Sequence, residues 1–588
     1  MRIWWLMALG CGPAAEPEPD GPLQAGTANP FPQASQIDAS GQLALAGLPD
    51  PGFDTPLPLG ELGYRTGFSR GQVAVLRWPG LANAVLPTFD DAETEGAVQI
   101  VDLANGDRIP CFAELDAAAE SDPSLLVRPL TALPARGRVA IVVTTQVMPR
   151  PEAFMVEGEI TRPLLDDLEG FGLERDAIAV AWAFPIDDGT APLRSALSQI
   201  RRIGMPSLTE DEAGRTRSLT YRAFTGLFPV VDFVGAEGRL DLQFDGTVVP
   251  RGEAEAELFV HVPASVADAP AGSVPLLVFG HGIFSSPEAY LAGPEDDDGV
   301  RALADELGAI VVATPWRGLT TSDLSVALGA SQDFGQFPRI PNLLVQGQVN
   351  VRTLIEGLRD GTFIDDPAFE GQSGQRLPNP DQILYYGISV GGIEGSVLLA
   401  TDPGFEAAAF HVGGAMWSTM LERSSNWPPL ELGLLDQIPE ADDRQVLYAL
   451  TQLWWDPVDP ISYAADLAKV PFLYQVSIGD EQVPNFTSEA FARAVGLPMV
   501  EPTPKAVVGL DMVSLPLKVP ARGLVWFDPE RELPVSTNRP AVTTGAHTSP
   551  RLWDGARRQV VDYLDPAAPG TLVHHCGAEP CTESNATP

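Results

Sequence analysis

A serine hydroxyl attacks a carbonyl at neutral pH only when a base takes its proton and a carboxylate orients that base. The stretch Gly387-Ile388-Ser389-Val390-Gly391-Gly392 offers such a serine, with glycines two positions to either side that let the backbone bend sharply. The apolar run Ile383, Leu384, Tyr385, Tyr386 precedes it and good helix formers fill 393–400, so the context reads strand, tight turn, helix. The same pattern recurs at Gly67-Phe68-Ser69-Arg70-Gly71, but turn signals precede that copy and strand-like alternation follows it over 72–78. Ser389 is therefore the expected nucleophile, and Ser69 a structural loop residue.

A serine on the turn between a buried strand and a helix resembles the nucleophile elbow of the α/β-hydrolase superfamily, whose triad runs Ser, acid, His along the chain. Six histidines narrow the choice of base. His547 lies in Thr543-Thr544-Gly545-Ala546-His547-Thr548-Ser549-Pro550, a loop running into the last helix, and is the expected base. His574 and His575 fall beyond that helix, His261 sits within a strand pattern, and His411 precedes the acid, so each is expected to be structural or exposed. The acid is expected after the apolar strand 472–478, in Gly479-Asp480-Glu481-Gln482-Val483-Pro484, with Asp480 chosen and Glu481 its competitor. An oxyanion needs two donors. One is the Val390 amide; the other, implied by the resemblance of Gly280-His281-Gly282-Ile283-Phe284 to lipase and esterase oxyanion loops, is the Ile283 amide, with His281 shaping the loop. No metal or organic cofactor is expected.

These residues need a scaffold. From about Asp241 the chain alternates buried-strand and helix patterns: strands at 256–262, 274–279, 309–313, 405–412, 470–478 and 523–527, with helices at 289–307, 343–358 and 550–564. Continuous apolar strands alternating with helices imply an α/β, doubly wound, mostly parallel sheet. The hydrolase domain is expected at 236–565, with a helical cap at about 413–467 carrying Trp417, Trp427, Trp454 and Trp455, an aromatic cover for apolar substrates. Upstream, 38–235 breaks into short apolar runs separated by turns, which suggests a β-sandwich. Within it 97–145, with its Gly106-Asp107 turn and the run Gly137 to Ile141, resembles bacterial immunoglobulin-like modules.

Charge and address complete the reading. With 78 acidic and 37 basic residues the net charge is −41, which disfavours nucleic-acid backbones and anionic membrane surfaces as partners. Residues 1–11, Met1-Arg2-Ile3-Trp4-Trp5-Leu6-Met7-Ala8-Leu9-Gly10-Cys11, look like a bacterial lipoprotein signal ending at a lipidated Cys11, followed by a Pro- and Ala-rich tether over 12–37. That places the protein in the cell envelope, as an outer-membrane lipoprotein held by its lipid anchor. Cys576 and Cys581 lie close together in the tail 566–588 and are expected to form a disulfide; with His574 and His575 they lack the spacing of common zinc sites. Cys111 is expected to be a buried small hydrophobe. The acidic run 295–298 reads as a solvated helix start rather than a calcium site.

The lipid-anchor pattern, the immunoglobulin-like region and Gly-His-Gly-Ile-Phe before Gly-Ile-Ser-Val-Gly-Gly together resemble bacterial surface lipoprotein lipases and lysophospholipases of the virulence-factor type. The resemblance implies hydrolysis of carboxylic esters on lipid-like or small acyl substrates. The alternatives are a serine peptidase of prolyl-oligopeptidase-like type and a non-catalytic surface-binding lipoprotein.

Overall fold

The computed structural model describes residues 29–586 apart from 79–80, 82–85, 87, 89–95, 151–160, 202–203, 294–295 and 297–298. The expected lipidated Cys11 and most of the tether lie outside the described residues. The first strands are β1 (Ala74–Leu76), β2 (Val98–Asp102), β3 (Arg108–Ile109), β4 (Cys111–Leu115), β5 (Leu125–Pro129), β6 (Arg138–Thr144) and β7 (Ile178–Pro185). They make two small antiparallel sheets, ordered β1-β5-β4 and β3-β2-β6-β7. The stretch 97–145 is divided between both sheets, and the helices Thr161–Gly170 and Ala191–Ser198 interrupt a region whose sequence reads as all strand.

The large sheet comprises β8 (Ser207–Glu210), β9 (Thr220–Asp232), β10 (Gly252–Pro263), β11 (Val274–Gly280), β12 (Ile310–Ala313), β13 (Pro378–Ile388), β14 (Ala407–His411), β15 (Leu473–Ser477), β16 (Met499–Glu501), β17 (Met512–Ser514), β18 (Gly523–Asp528) and β19 (Cys581–Thr582). Its order is β17-β16-β18-β15-β14-β13-β11-β12-β10-β9-β8, with β19 beside β18. Pairing is parallel from β12 through β11, β13, β14 and β15 to β18, and antiparallel only where β10 joins β12 and beyond it. Parallel strands covered by helices on both faces bury every side chain, and β11, β12 and β14 are buried at each position.

Three expectations change. Strands β8 and β9 lie before residue 236 yet belong to the large sheet, because β9 pairs with β10 along nearly its whole length. The single helix expected over 289–307 is two, Pro287–Leu291 and Val300–Leu307, since Gly293-Pro294 cannot continue a helix. Of the acidic run 295–298, read as a helix start rather than a calcium site, only Asp296 lies among the described residues, and it accepts the Arg301 and Ala302 amides at the start of the second helix at 3.1 and 2.8 Å. The strand 523–527 is followed by one more, β19.

One apolar core runs from Phe31 and Phe68 through the sheet to Trp455 and Trp526, so the N-terminal region packs directly on the cap. The contact is also ionic. Arg65 pairs with Asp456 at 2.7 Å with both side chains wholly buried, and Ser69 Oγ donates to the other Asp456 oxygen at 2.6 Å. Burial pushes the Asp456 carboxyl up, while Arg65 and Ser69 favour its charged form. The second Gly-x-Ser-x-Gly copy is thus a structural clasp that does not itself form a strand-to-helix turn.

Candidate active site

Strand β13 ends at Ile388 and the helix Val390–Thr401 starts two residues later, which leaves Ser389 alone to make the turn. Its backbone sits at φ 59°, ψ −117°, a sparsely populated region costing about 1–3 kcal/mol that persists only where the surroundings impose it. They do so through the two glycines. A Cβ on Gly387 would lie 2.0 Å from the Gly391 carbonyl oxygen, and one on Gly391 would lie 2.1 Å from that of Gly280. The Ser389 amide donates to the His411 carbonyl at 2.9 Å, the Gly391 amide to that of His281 at 2.9 Å, and Tyr385 Oη to that of Gly391 at 2.6 Å. Elbow, β14 and the loop after β11 are therefore fastened together.

Asp480 and His547 meet. Their residues follow β15 and β18, at the same carboxyl edge of the parallel strands that carries Ser389. His547 Nδ1 lies 2.9 and 2.8 Å from the two Asp480 oxygens. A carboxylate only accepts, so Nδ1 carries the proton and Nε2 keeps its lone pair. The Gln482 and Val483 amides donate to Asp480 Oδ1 at 2.9 and 2.8 Å and hold the carboxylate in place. Glu481, the competitor, takes a different part: it accepts the His547 amide at 3.0 Å, the Gly545 amide at 3.2 Å and the Thr544 hydroxyl at 3.1 Å. It grips the histidine's backbone, not its ring. Ser389, Asp480 and His547 are all buried.

The loop after β11 packs on the serine: a Cβ on Gly282 would stand 3.6 Å from Ser389 Cβ and 3.9 Å from Oγ. The Gly282 amide is engaged by Tyr290 Oη at 3.2 Å and that of Phe284 by the Leu319 carbonyl at 2.7 Å. The Ile283 and Val390 amides, the expected oxyanion donors, have no acceptor among the described residues. His281 shapes this loop. The Trp316 amide donates to its Nε2 at 2.8 Å, so Nδ1 bears the proton and faces the Gly282 carbonyl at 2.8 Å. Burial lowers its pKa to about 4, which keeps it neutral.

An apolar cleft begins at Ile283 and Phe284 of this loop. Ile283 and Phe284 wall it from the loop, Phe334 and Phe337 from the segment after the helix Leu324–Gln332, and Trp427 and Trp455 from the cap. The segment 413–467, expected as a cap, includes the helices Trp417–Leu421, Pro428–Gln437 and Ala441–Trp455. Two of its four tryptophans face the cleft. Trp417 stacks behind Trp455 with ring centres 5.0 Å apart, and Trp454 meets Phe337 edge-on.

The remaining histidines serve elsewhere. His411 is wholly buried, with Nδ1 3.0 Å from Gln475 Oε1, and burial lowers its pKa to about 3; His261 is buried and lowered similarly. His575 pairs with Asp562 at 2.6 Å. Cys576 and Cys581 form a disulfide; although His574 lies near both sulfurs, disulfide sulfurs are not thiolates and cannot hold zinc as cysteines do. Cys111 is buried. Sequence reasoning missed Tyr290 and Trp316, whose contacts depend on how the loop folds back. It also missed the backbone role of Glu481, for which adjacency to Asp480 was the one available signal.

No family model and no curated protein matches the chain. Solved structures similar to it include acetyl xylan esterase 1 from Thermoanaerobacterium sp. JW/SL YS485, at 15% identity over 56% of this chain and 87% of that one, with a TM-score of 0.34. Pyrococcus horikoshii acylaminoacyl peptidase is similar at 18% identity over 46% of this chain and 35% of its own, with a TM-score of 0.27. An S-formylglutathione hydrolase from Agrobacterium tumefaciens is similar at 15% identity over 54% and 90%, with a TM-score of 0.28.

Proposed function

We propose that the protein is a serine hydrolase that cleaves carboxylic esters. The observation that carries this reading is Ser389, held at φ 59° on a strand-to-helix elbow, at the sheet edge where His547 is bonded to Asp480. In this mechanism His547 Nε2 takes the proton as Ser389 Oγ attacks the acyl carbonyl, and the Val390 and Ile283 amides bind the oxyanion. Collapse breaks the ester bond, and the alkoxide leaves with the proton from His547. Water then attacks the acyl-enzyme by the same route, releasing the acid and freeing Ser389. Asp480 stabilises the imidazolium throughout.

The apolar cleft beginning at Ile283 supports an ester with an apolar acyl group, as in lipase and lysophospholipase chemistry. The pattern ending at Cys11 and the Cys576–Cys581 disulfide support an exported, lipid-anchored protein of the cell envelope. A fluorophosphonate probe should label the purified protein at Ser389, identified by peptide mapping. The protein should also hydrolyse p-nitrophenyl esters faster than the matching anilides. Absence of labelling makes it a non-catalytic binding protein, and faster anilide cleavage makes it a peptidase.

Ala330 faces the cleft from the helix Leu324–Gln332. Ala330→Trp should shorten the cleft and lower kcat/KM for an octanoate ester by about tenfold or more, because each buried methylene contributes about 0.8 kcal/mol. The acetate ester should be hydrolysed nearly as before. An equal loss on both esters would place the acyl chain elsewhere.

A further inference from the structure

The segment from Pro529 to Ser549 delivers His547, yet contains no helix or strand. A chain that long without ladder hydrogen bonds holds a side chain in place only if something else fastens it. Next to His547 the segment is held by Glu481 and by Ser477 Oγ, which donates to the Ala546 carbonyl at 2.6 Å, and further back it is held from the N-terminal region. Asn538, 3% exposed between the exposed Thr537 and Arg539, accepts the Ala117 amide at 2.8 Å and donates to Asp116 Oδ1 at 2.8 Å. Arg539 donates to the Ala117 carbonyl at 2.7 Å. Beside this contact, Arg423 donates to the Thr537 and Ser536 carbonyls at 2.7 and 3.2 Å, and its own carbonyl accepts the Ala541 amide at 2.9 Å. The Arg423 guanidinium is itself held by Glu114, whose other oxygen binds Arg128 at 2.6 Å, while Arg128 also pairs with Glu422.

The same connection reaches the acid. Just beyond Arg423, the Ser425 amide donates to the Glu481 carbonyl at 2.8 Å and Asn426 Nδ2 to Gln482 Oε1 at 3.0 Å. Strands β4 and β5 and the turn between them therefore support both the histidine segment and the acid loop. These groups touch no reacting atom.

We infer that Asp116 and Glu114 of the N-terminal region are positioning residues for His547, acting through Asn538 and Arg423, so that this region completes the active site instead of being an appended module. The inference rests on the proposed role of His547. A displacement of about 1 Å at a catalytic group costs up to about 100-fold in rate. Asn538→Ala and Asp116→Ala are each expected to lower kcat on a p-nitrophenyl ester by about 10- to 100-fold, with KM within about twofold because neither residue lines the cleft. The double variant should lose little more than either single one, the signature of a shared contact. Arg175→Ala, at an exposed ion pair of the same region, should match the wild type.

If Asn538→Ala does not fold, Arg423→Lys keeps the charge against Glu114 but removes the grip on the two carbonyls, and the same kcat-selective loss is expected. Wild-type kcat in the folded variants, additive losses in the double variant, or an equal rise in KM would overturn the inference while leaving the ester-hydrolase reading intact. Turnover that survives Ser389→Ala would instead remove that reading.

Discussion

Ser389→Ala is expected to lower kcat for a short-chain aryl ester by about 10⁴-fold or more and to abolish fluorophosphonate labelling. The substitution removes the one atom that forms the acyl-enzyme and leaves the elbow intact, since alanine makes the same turn and both flanking glycines remain. KM should change little, because the oxyanion amides and the apolar cleft still bind the ester. Residual turnover should remain above the uncatalysed rate, as those donors still stabilise a tetrahedral intermediate formed by water. Ser69→Ala is the internal control, with the same local sequence pattern but a different structural role. Ser69 Oγ donates to Asp456 and accepts the Gly71 amide at 2.9 Å, so its loss leaves buried partners unsatisfied and should cost about 1–3 kcal/mol of stability. Activity per folded molecule should be retained. Stopped-flow ester assays with thermal melts on both variants separate the two roles. Comparable kcat for Ser389→Ala and wild type would end the nucleophile assignment.

The elbow was legible because its chemistry is local: a strand of continuous apolar residues, two glycines where no Cβ fits, and a helix. Buried parallel strands such as β11 and β14 were legible for the same reason, since burial on both faces writes an unbroken apolar run. What could not be read depends on which partner a segment finds. The alternating residues of β9 and β10 announce a strand but not its sheet, so the boundary expected near residue 236 missed the hairpin that extends the large sheet. Strands β3 and β4 are too short to show a period. About a third of the cleft lining comes from the helix Leu324–Gln332 and the segment after it, whose small and apolar residues carry no signal of what they will face. The dependence of the histidine segment on Asp116 and Glu114 joins residues more than 300 positions apart, through single hydrogen bonds and ion pairs. Such polar contacts have no periodicity to read.

Asp480→Asn is expected to reduce kcat by about 10⁴-fold, while Glu481→Gln costs no more than about tenfold. The two side chains are neighbours of like charge, and both bond to His547, so the contrast tests geometry rather than proximity. An amide at position 480 keeps an acceptor for the Gln482 and Val483 amides, and that choice turns its NH₂ group toward His547 Nδ1. Two donors cannot face each other. The imidazole then moves its proton to Nε2, the atom that must accept from Ser389, and the base is lost although every atom remains in place. Glu481 meets only backbone amides and the Thr544 hydroxyl, and an amide there retains one oxygen to accept from the His547 amide. The segment stays seated, and the tautomer is unchanged. Ester kinetics on both variants, with NMR of the imidazole nitrogens to report the tautomer, decide the matter. A larger loss for Glu481→Gln, or an unchanged tautomer in Asp480→Asn, would move the acid's role away from Asp480.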